Sequence, residues 1–281
     1  MNGNQFLTFA SRFSPLFFAA VGFFTLACFH SCTNPTPPAE KPAIIGTAKM
    51  EKTQGKDCDD PEMSTNCAKI KLRYPTIEAG SEALKKSVAE WATRYLVFIL
   101  LPYNSTDKEF KTATLETATK AFFDNHTHDV TESESVMTGG YRVESKDTIL
   151  FNDGKHITLQ IDGNAYMGGN HPHVSVAVAT FDCVTGKRLT WDDLVSDKAA
   201  FKALAEKNFV AASPDLFKPT DGSEPLKFDE EFKFDLPKSY GLVKDGIFFN
   251  YEAGEIFLMV HGVTQFVLPF SEIGGISKIK N

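Results

Sequence analysis

The segment Tyr166–Leu194, YMGGNHPHVSVAVATFDCVTGKRLTWDDL, carries the signals of two turns, one strand and the start of a helix. Its paired glycines admit backbone angles that other residues avoid, so they predict a turn. The valines at 174, 176 and 178 have the period of a half-buried strand. Thr185–Gly186 predicts the second turn. Asp192–Asp193 resembles a carboxylate pair, but after Trp191 it favours a helix start, where acids face the positive end of the dipole.

Upstream of this segment the sequence predicts a strand followed by two helices. The stretch CAKIKLRYP, residues 67–75, alternates apolar and basic side chains, which indicates a half-buried strand that ends at Pro75. Apolar residues at steps of three and four then predict an amphipathic helix with Ser81 as its N-cap and Pro102 as its stop. A weaker helical pattern runs from Asp107 to Phe123, and His126 and His128 in DNHTHD after it are expected to lie exposed in a loop.

The remaining segments predict short strands joined by tight turns. Alternating runs after Val136 are broken by Asp153–Gly154 and Asp162–Gly163, which are typical of hairpins. A helix is expected around residues 197–212, and GIFFNY (246–251) and EIFLMVHGVTQFVLPFSEI (255–273) predict the last strands. The fold class is therefore α+β, with antiparallel sheets, helices packed on their faces and two intimately associated subdomains.

The histidine pair His171-Pro172-His173 admits three interpretations. In an extended chain, residues i and i+2 point to the same face, so both imidazoles could hold a metal ion if His156 or His261 supplied a third ligand. Alternatively, the histidines contact a ligand, together with Tyr166 and Asn170. The interpretation we favour is a turn shaped by its glycines that leads the chain into a core strand.

The first 32 residues are typical of an export signal. Residues 13–29, FSPLFFAAVGFFTLACF, carry no charge, and a Pro-rich polar run follows them. This arrangement predicts a lipoprotein that is lipidated at Cys32, with Cys28 as the alternative, and a flexible stalk over residues 33–57. An uncleaved membrane anchor and a simple secretory signal are the other two readings.

Net charge limits the kinds of binding partner, and the cysteines predict a disulfide. The chain has 29 basic and 36 acidic side chains, for a net charge of −7. Removal of residues 1–32 takes away only Arg12 and leaves −8, a balance that argues against nucleic acid and is compatible with a basic protein or a neutral glycan. In an oxidising envelope, Cys58 and Cys67 are expected to form a disulfide, and Cys183 to be a buried or strand-end thiol.

The sequence contains no pattern that points to a specific reaction. A Gly-x-Ser-x-Gly nucleophile elbow, a phosphate loop, a dinucleotide fingerprint and an H-E-x-x-H zinc motif are all missing from it. We therefore expect no cofactor and favour binding over catalysis, with a metal-dependent envelope hydrolase that uses His171 and His173 as the alternative. A structural envelope protein is the third reading.

Three stretches taken together resemble a known family. YMGGNHP (166–172), FDCVTGKRLTWDDL (181–194) and YEAGEIFLMVHGVTQFVLPFSEI (251–273) are similar to the C-terminal envelope domain of the lysozyme-sensing anti-sigma factor RsiV. The preceding part, from CAKIKLRYP through both helices, resembles the small domain that accompanies it there and in PdaC-type peptidoglycan deacetylases. The resemblance covers roughly residues 60–275. Asn170 stands where the family pattern has alanine, and Phe270 stands where tyrosine is common.

The resemblance implies an α+β domain pair in the bacterial cell envelope that usually has no assigned chemistry and that binds lysozyme in the RsiV branch. We expect a signal peptide (1–32), the stalk (33–57), an N-terminal domain (58–165) and an RsiV-like domain (166–281). Neither a sigma-binding segment nor a deacetylase domain is expected. The expected partner is a lysozyme-like muramidase or a peptidoglycan-derived ligand, bound near Tyr166–His173 by a lipid-anchored protein that faces the periplasm or the cell surface.

Overall fold

The computed structural model describes residues 43–59, 64–102, 104–132, 140–220 and 222–279. All of these residues belong to one compact unit. The predicted leader, with Cys28 and Cys32, lies outside the described residues. Among the helices of the described part, none is long and apolar enough to cross a bilayer.

A five-stranded sheet forms the larger layer, with its strands in sequence order. They are β1 (Ile44–Gly55), β2 (Cys67–Ala79), β3 (Tyr141–Asn152), β4 (His156–Tyr166) and β5 (His173–Asp182). Neighbouring strands are antiparallel except β2 and β3, which run parallel with Ala68 opposite Tyr141. A parallel pair needs a long crossover, and the three helices between these strands supply it. The prediction of antiparallel sheets is thus correct for every pair but this one.

Strand β1 corrects the predicted stalk. Residues 44–55 pair with β2 along their whole length, from Ile44 opposite Ala79 to Gly55 opposite Cys67. The prediction of a flexible stalk is therefore wrong for this part of residues 33–57. The error has a physical cause, because β1 is an edge strand with mostly exposed or half-buried side chains. Its pairing with β2 orders it, and its own sequence gives only a weak strand signal.

The crossover helices are α1 (Glu82–Leu100), α2 (Asp107–Thr112) and α3 (Leu115–Glu132). Ser81 caps α1 as predicted, since its side chain accepts a hydrogen bond from the Leu84 amide. The single helix predicted over residues 107–123 is instead two helices that meet at residues 113–114. Helix α3 also continues through the expected histidine loop. His126 lies on its inner face, 4% exposed, and bonds the Thr65 carbonyl, so the expectation that it is exposed was wrong.

The C-terminal part adds a three-stranded antiparallel sheet of β6 (Ser239–Val243), β7 (Gly246–Tyr251) and β8 (Thr264–Pro269). The helices here are α4 (Trp191–Leu194), α5 (Lys198–Ala212), α6 (Pro214–Phe217) and α7 (Phe270–Ile273). Residues 255–261 were predicted to be strand, but residues 255–258 form an irregular loop and Met259–His261 form a 3-10 turn. An aromatic core built around Phe201, Phe209 and Phe249 joins α5 to this sheet.

The two sheets meet along the outer edge of β5, where side chains take the place of a further strand. The Val176 amide donates to Glu252 Oε1 at 2.6 Å, and the Val178 amide donates to Ser239 Oγ at 2.8 Å. The Leu242 amide donates to Thr180 Oγ1 at 2.9 Å. These bonds satisfy edge groups of β5 and fix β6 beside it. The five-stranded sheet takes strands from both sides of the predicted domain boundary at residue 165, and the division into two domains stays a prediction.

Of the two Asp–Gly pairs that were predicted to form turns, only one does so in the structure. Asp153–Gly154 forms the turn between β3 and β4 as predicted, with Gly154 at a φ of 82°. Asp162–Gly163 was also predicted to be a turn, but it lies inside β4. A Cβ at Gly163 would come within 2.4 Å of Tyr95 Oη. Gly163 is therefore explained by close packing against α1 and not by a change of chain direction.

The expected cysteine pairing is confirmed. Cys58 and Cys67 form a disulfide that spans 9 positions of sequence, with their Cα atoms 5.2 Å apart. It ties the end of β1 to the start of β2. Cys183 is a free, buried thiol directly after β5, as the sequence indicates.

Candidate functional site

The turn between β4 and β5 has the backbone geometry that its glycines predict. Gly168 and Gly169 have φ angles of 83° and 90°. A Cβ at Gly169 would meet nothing within 4 Å, so the requirement here is conformational and not steric. Tyr166 braces the turn because its hydroxyl donates to the Gly169 carbonyl at 2.9 Å. Asn170 is exposed at the tip of the turn.

The two histidines of this turn lie in different surroundings. His171 is exposed, whereas His173 begins β5 and is half-buried. The His173 ring stands edge-on to Phe98 of α1, with ring centroids 5.8 Å apart. Burial lowers the pKa of His173 below its usual value. Burial thus favours the uncharged form of the imidazole, which suits its contact with Phe98.

An apolar cleft of about 460 Å³ opens beside these histidines, and we call it the histidine cleft. Phe98 and Leu101 from α1, together with Phe110 from α2, form one wall. The turn residues His171, Pro172 and His173 form another, and Met259 from the β7–β8 loop closes one side. Residues distant in sequence thus converge on the turn that the sequence singles out.

The β7–β8 loop presents an apolar tip at the mouth of the histidine cleft. Leu258, Met259 and Val260 are 60%, 65% and 84% exposed. Adjacent large apolar side chains of this exposure are uncommon on a monomer surface away from binding sites. We refer to these three residues as the apolar tip.

A second concave surface continues from the histidine cleft along α1, and we call it the α1 groove. Two cavities of about 390 and 760 Å³ share Trp91, Arg94 and Arg188 as lining residues, and the first of them also shares Phe98 and His173 with the cleft. Trp91, Arg94 and Phe98 line one wall. Arg188 and Lys238 come from other elements to line the opposite side.

One of the two acidic residues that line the groove, Glu252, has a structural role. It is half-buried and accepts hydrogen bonds from the Val176 amide and from Asn250 Nδ2, the latter at 3.0 Å. Burial raises the pKa of Glu252. Its carboxylate is committed to the junction between the sheets, so we assign it no catalytic role.

The metal alternative receives no geometric support. Within the described ranges, no three or more His, Cys, Asp or Glu side chains gather in a way that would hold a metal ion. His171 and His173 line the histidine cleft, whereas His261 packs against Phe257 with ring centroids 6.2 Å apart and lines a different, small cavity. The three histidines are therefore not assembled into one centre.

Comparisons with known proteins identify the fold. A protein from Bacteroides fragilis NCTC 9343, described as a member of the DUF3298 family, has a TM-score of 0.56 and 14% identity, over 84% of this chain and 94% of that one. A DUF3298 family protein from Pseudomonas aeruginosa PAO1 has a TM-score of 0.57 and 16% identity, over 85% of this chain and 96% of that one. The chain has a DUF3298-like fold. No protein-family model and no curated protein matches the sequence significantly. At this identity the DUF3298 likeness concerns the fold alone.

Sequence reasoning found the turn but not its partners. Phe98 and Phe110 were interpreted only as parts of helices, and Met259 as part of a strand. Phe98 carried a usable signal, because it lies off the apolar stripe of α1 and is 45% exposed. For Arg94, Arg188 and Lys238 no local signal existed, since three separate elements bring them together.

Proposed function

We propose that this protein is a cell-envelope lipoprotein that acts by recognition, and that its histidine cleft and apolar tip dock onto a lysozyme-like muramidase. The lipid is attached at Cys32, or at Cys28 as the alternative, and it holds the body at the membrane. The resemblance to RsiV-like envelope domains motivates the choice of partner, and the DUF3298-like fold is compatible with it.

The observation that carries the proposal is the apolar tip beside the histidine cleft. Leu258, Met259 and Val260 are exposed, and Met259 also lines a preformed apolar cleft that can receive side chains of a partner. Protein interfaces typically have such an apolar centre within a polar rim. The histidine pair then contributes contact surface, with His171 exposed and His173 held against Phe98.

Net charge supports a basic partner. The chain carries −7, and opposite net charges raise association rates in a way that salt suppresses. Lysozyme-like muramidases that are strongly basic fit this requirement. A peptidoglycan-derived ligand is the second candidate, and the cations of the α1 groove suit the free carboxylates of its peptide stems.

Interferometry with purified muramidases tests the proposal. The protein beginning at residue 33 is immobilised and exposed to a panel of muramidases at low and high salt. We expect binding that weakens at high salt and that falls at least about tenfold for Met259→Asp or Val260→Asp, because each places a charge in an apolar contact. Val184→Asp is the matched control, since Val184 is 55% exposed but follows the opposite end of β5.

The results for these variants distinguish docking at the apolar tip from other modes of muramidase binding. Binding that Val260→Asp abolishes and Val184→Asp spares supports docking at the apolar tip. Equal loss in both variants would mean that a charge anywhere weakens binding, and the assignment to the tip would be wrong. No binding to any muramidase in the panel would refute the proposed partner.

A further inference from the structure

We propose that the α1 groove binds an extended peptide that carries free carboxylates. This site lies beside the apolar tip but is chemically different from it. The inference goes beyond docking of a muramidase, and separate substitutions test the two.

The charges of the groove are unbalanced in an otherwise acidic protein. Arg94, Arg188 and Lys238 line it and are exposed. Across the described part of the chain, nine ion pairs form, and none of them includes these three cations. In a chain of net charge −7, three unpaired cations on one concave surface indicate an anionic ligand.

Two acids, Glu90 and Glu252, also line the groove, so its lining holds three cations against two carboxylates. Glu90 lies 3.9 Å from Lys86 across one turn of α1, and Glu252 accepts from the β5 backbone. The two acids have partners other than the three cations, and the cations still outnumber them, so the lining keeps a net positive charge.

The arginines are oriented but not saturated. Arg94 Nη1 donates to the carbonyls of Lys111 and Phe110 at 2.7 and 3.3 Å, which anchors the guanidinium at the end of α2. A guanidinium has five N–H donors, so Nε and Nη2 of Arg94 remain for a carboxylate. Arg188 makes one long contact, from Nη2 to the Lys238 carbonyl at 3.5 Å. Arginine is suited to bidentate recognition of carboxylates.

The aromatic side chains of the same wall give the groove room for apolar groups. Trp91 is half-buried with its ring edge-on to Phe181 at 5.7 Å, and Phe98 is 45% exposed. Trp91, Arg94 and Phe98 lie three and four residues apart, so they form one row on α1. An alternation of aromatic and cationic positions suits an extended ligand whose carboxylates and apolar groups alternate.

The outer edge of β5 is closed by side chains over residues 176–178, so binding by strand addition is excluded there.

We take the peptide stems of peptidoglycan, the second candidate of the proposed function, as the source of this ligand, and acidic segments of proteins are the alternative that the test separates. The probes are therefore a stem tetrapeptide with free carboxylates, the same tetrapeptide with its carboxylates amidated, and an all-L peptide that alternates glutamate with leucine. Titration follows the fluorescence of Trp91 in a Trp191→Phe background. The chain has two tryptophans, and Trp191 stacks on Tyr240 at 3.7 Å outside the groove.

We expect saturable binding of at least one carboxylated peptide, and loss of about tenfold or more in affinity for Arg188→Gln or Arg94→Gln, as for a charged hydrogen bond that is removed. Lys207→Gln makes the same charge change on the exposed face of α5 and should stay within about twofold. Circular dichroism confirms folding of each variant. If Arg94→Gln loosens α2, Arg188→Gln and Lys238→Gln keep the test intact.

Each result decides something. Binding of the stem peptide alone assigns the groove to peptidoglycan, and binding of the all-L peptide alone assigns it to a protein segment. Equal affinity for the amidated tetrapeptide would overturn the role of the cations. Absence of binding for all probes would overturn the site itself, while leaving muramidase docking at the apolar tip unaffected.

Discussion

The contact between Gly163 and Tyr95 makes Gly163→Ala a sharp test of the packing of α1 on the sheet. Gly163 has no positive φ, so alanine fits its backbone. The added Cβ would lie 2.4 Å from Tyr95 Oη and 3.2 Å from both Tyr95 Cζ and Ile99 Cγ2. The hydroxyl cannot move aside freely, because it donates to the Ser175 carbonyl at 2.7 Å and lies 2.9 Å from Ser175 Oγ. Tyr95 itself is 9% exposed.

The magnitude follows from three contributions. Overpacking a core by one methyl group costs about 1–3 kcal/mol. Displacing Tyr95 Oη weakens a buried hydrogen bond to Ser175, which adds about 0.5–1.5 kcal/mol. Reduced entropy of the unfolded chain offsets about 0.4–1 kcal/mol of this loss. We expect Gly163→Ala to lower the free energy of unfolding by about 2–3 kcal/mol.

Urea unfolding measures this change in the free energy of unfolding. The four proteins compared are the parent, Gly163→Ala, Tyr95→Phe and the double variant. Removal of Oη relieves the closest contact, so the double variant should be at least about 1 kcal/mol more stable than the sum of the single effects predicts. Gly275→Ala is the control, since a Cβ there meets nothing within 4 Å. An additive cycle, or a Gly163→Ala variant as stable as the parent, would refute the packing argument.

Three further predictions concern other parts of the fold. Reduction of the Cys58–Cys67 disulfide should lower the free energy of unfolding by about 2–3 kcal/mol, because it closes a loop of 9 positions; an unchanged urea midpoint in reductant would contradict this. Asp193→Ala should cost about 1 kcal/mol, since Asp193 closes a capping box with Thr190. Its hydrogen bond from Lys187 is the main cause that lowers the pKa of Asp193 to about 2 from 3.8. The stabilisation by the Asp193 carboxylate is therefore present above pH 3.8 and is lost as the pH falls towards 2. The free energies of unfolding of the parent and of Asp193→Ala should thus converge in acid. Cys183 is buried, and burial raises the pKa of its thiol. In the chain that begins at residue 33, Cys183 should therefore react with a thiol reagent only on unfolding. Rapid labelling of the native protein would show that the thiol is accessible and would contradict this prediction.

Elements with strong local signals were predictable. The face of β2 formed by Ala68, Ile70 and Leu72 is fully buried, as its alternation indicates. Ser81 and the acids after Thr190 mark helix starts because capping is a local interaction. The strand prediction for β2 stopped at Pro75, yet the strand continues to Ala79. Pro75 pairs with Thr47 of β1, a strand that the sequence did not predict.

The failures share one cause, which is that distant contacts override local patterns. Gly163 has the signature of a turn but serves to admit Tyr95. His126 follows a helix pattern that weakens, yet its bond to the Thr65 carbonyl holds it inside α3. In the candidate site, too, the local features were predictable from the sequence and the tertiary ones were not. The glycine turn and its histidines were identified from sequence, whereas the α1 groove depends on Arg94, Arg188 and Lys238, which only tertiary structure brings together.

The closure of β5 by Ser239 and Glu252 has a consequence for chains that are cut or incompletely made. A fragment that ends before Ser239 would retain all five strands of the first sheet but would leave the amides of Val176 and Val178 without these acceptors. An open strand edge with exposed Val174 beside it is a template for pairing with another chain. The C-terminal sheet thus covers an edge that could otherwise pair with another chain, and fragments without it should be aggregation-prone.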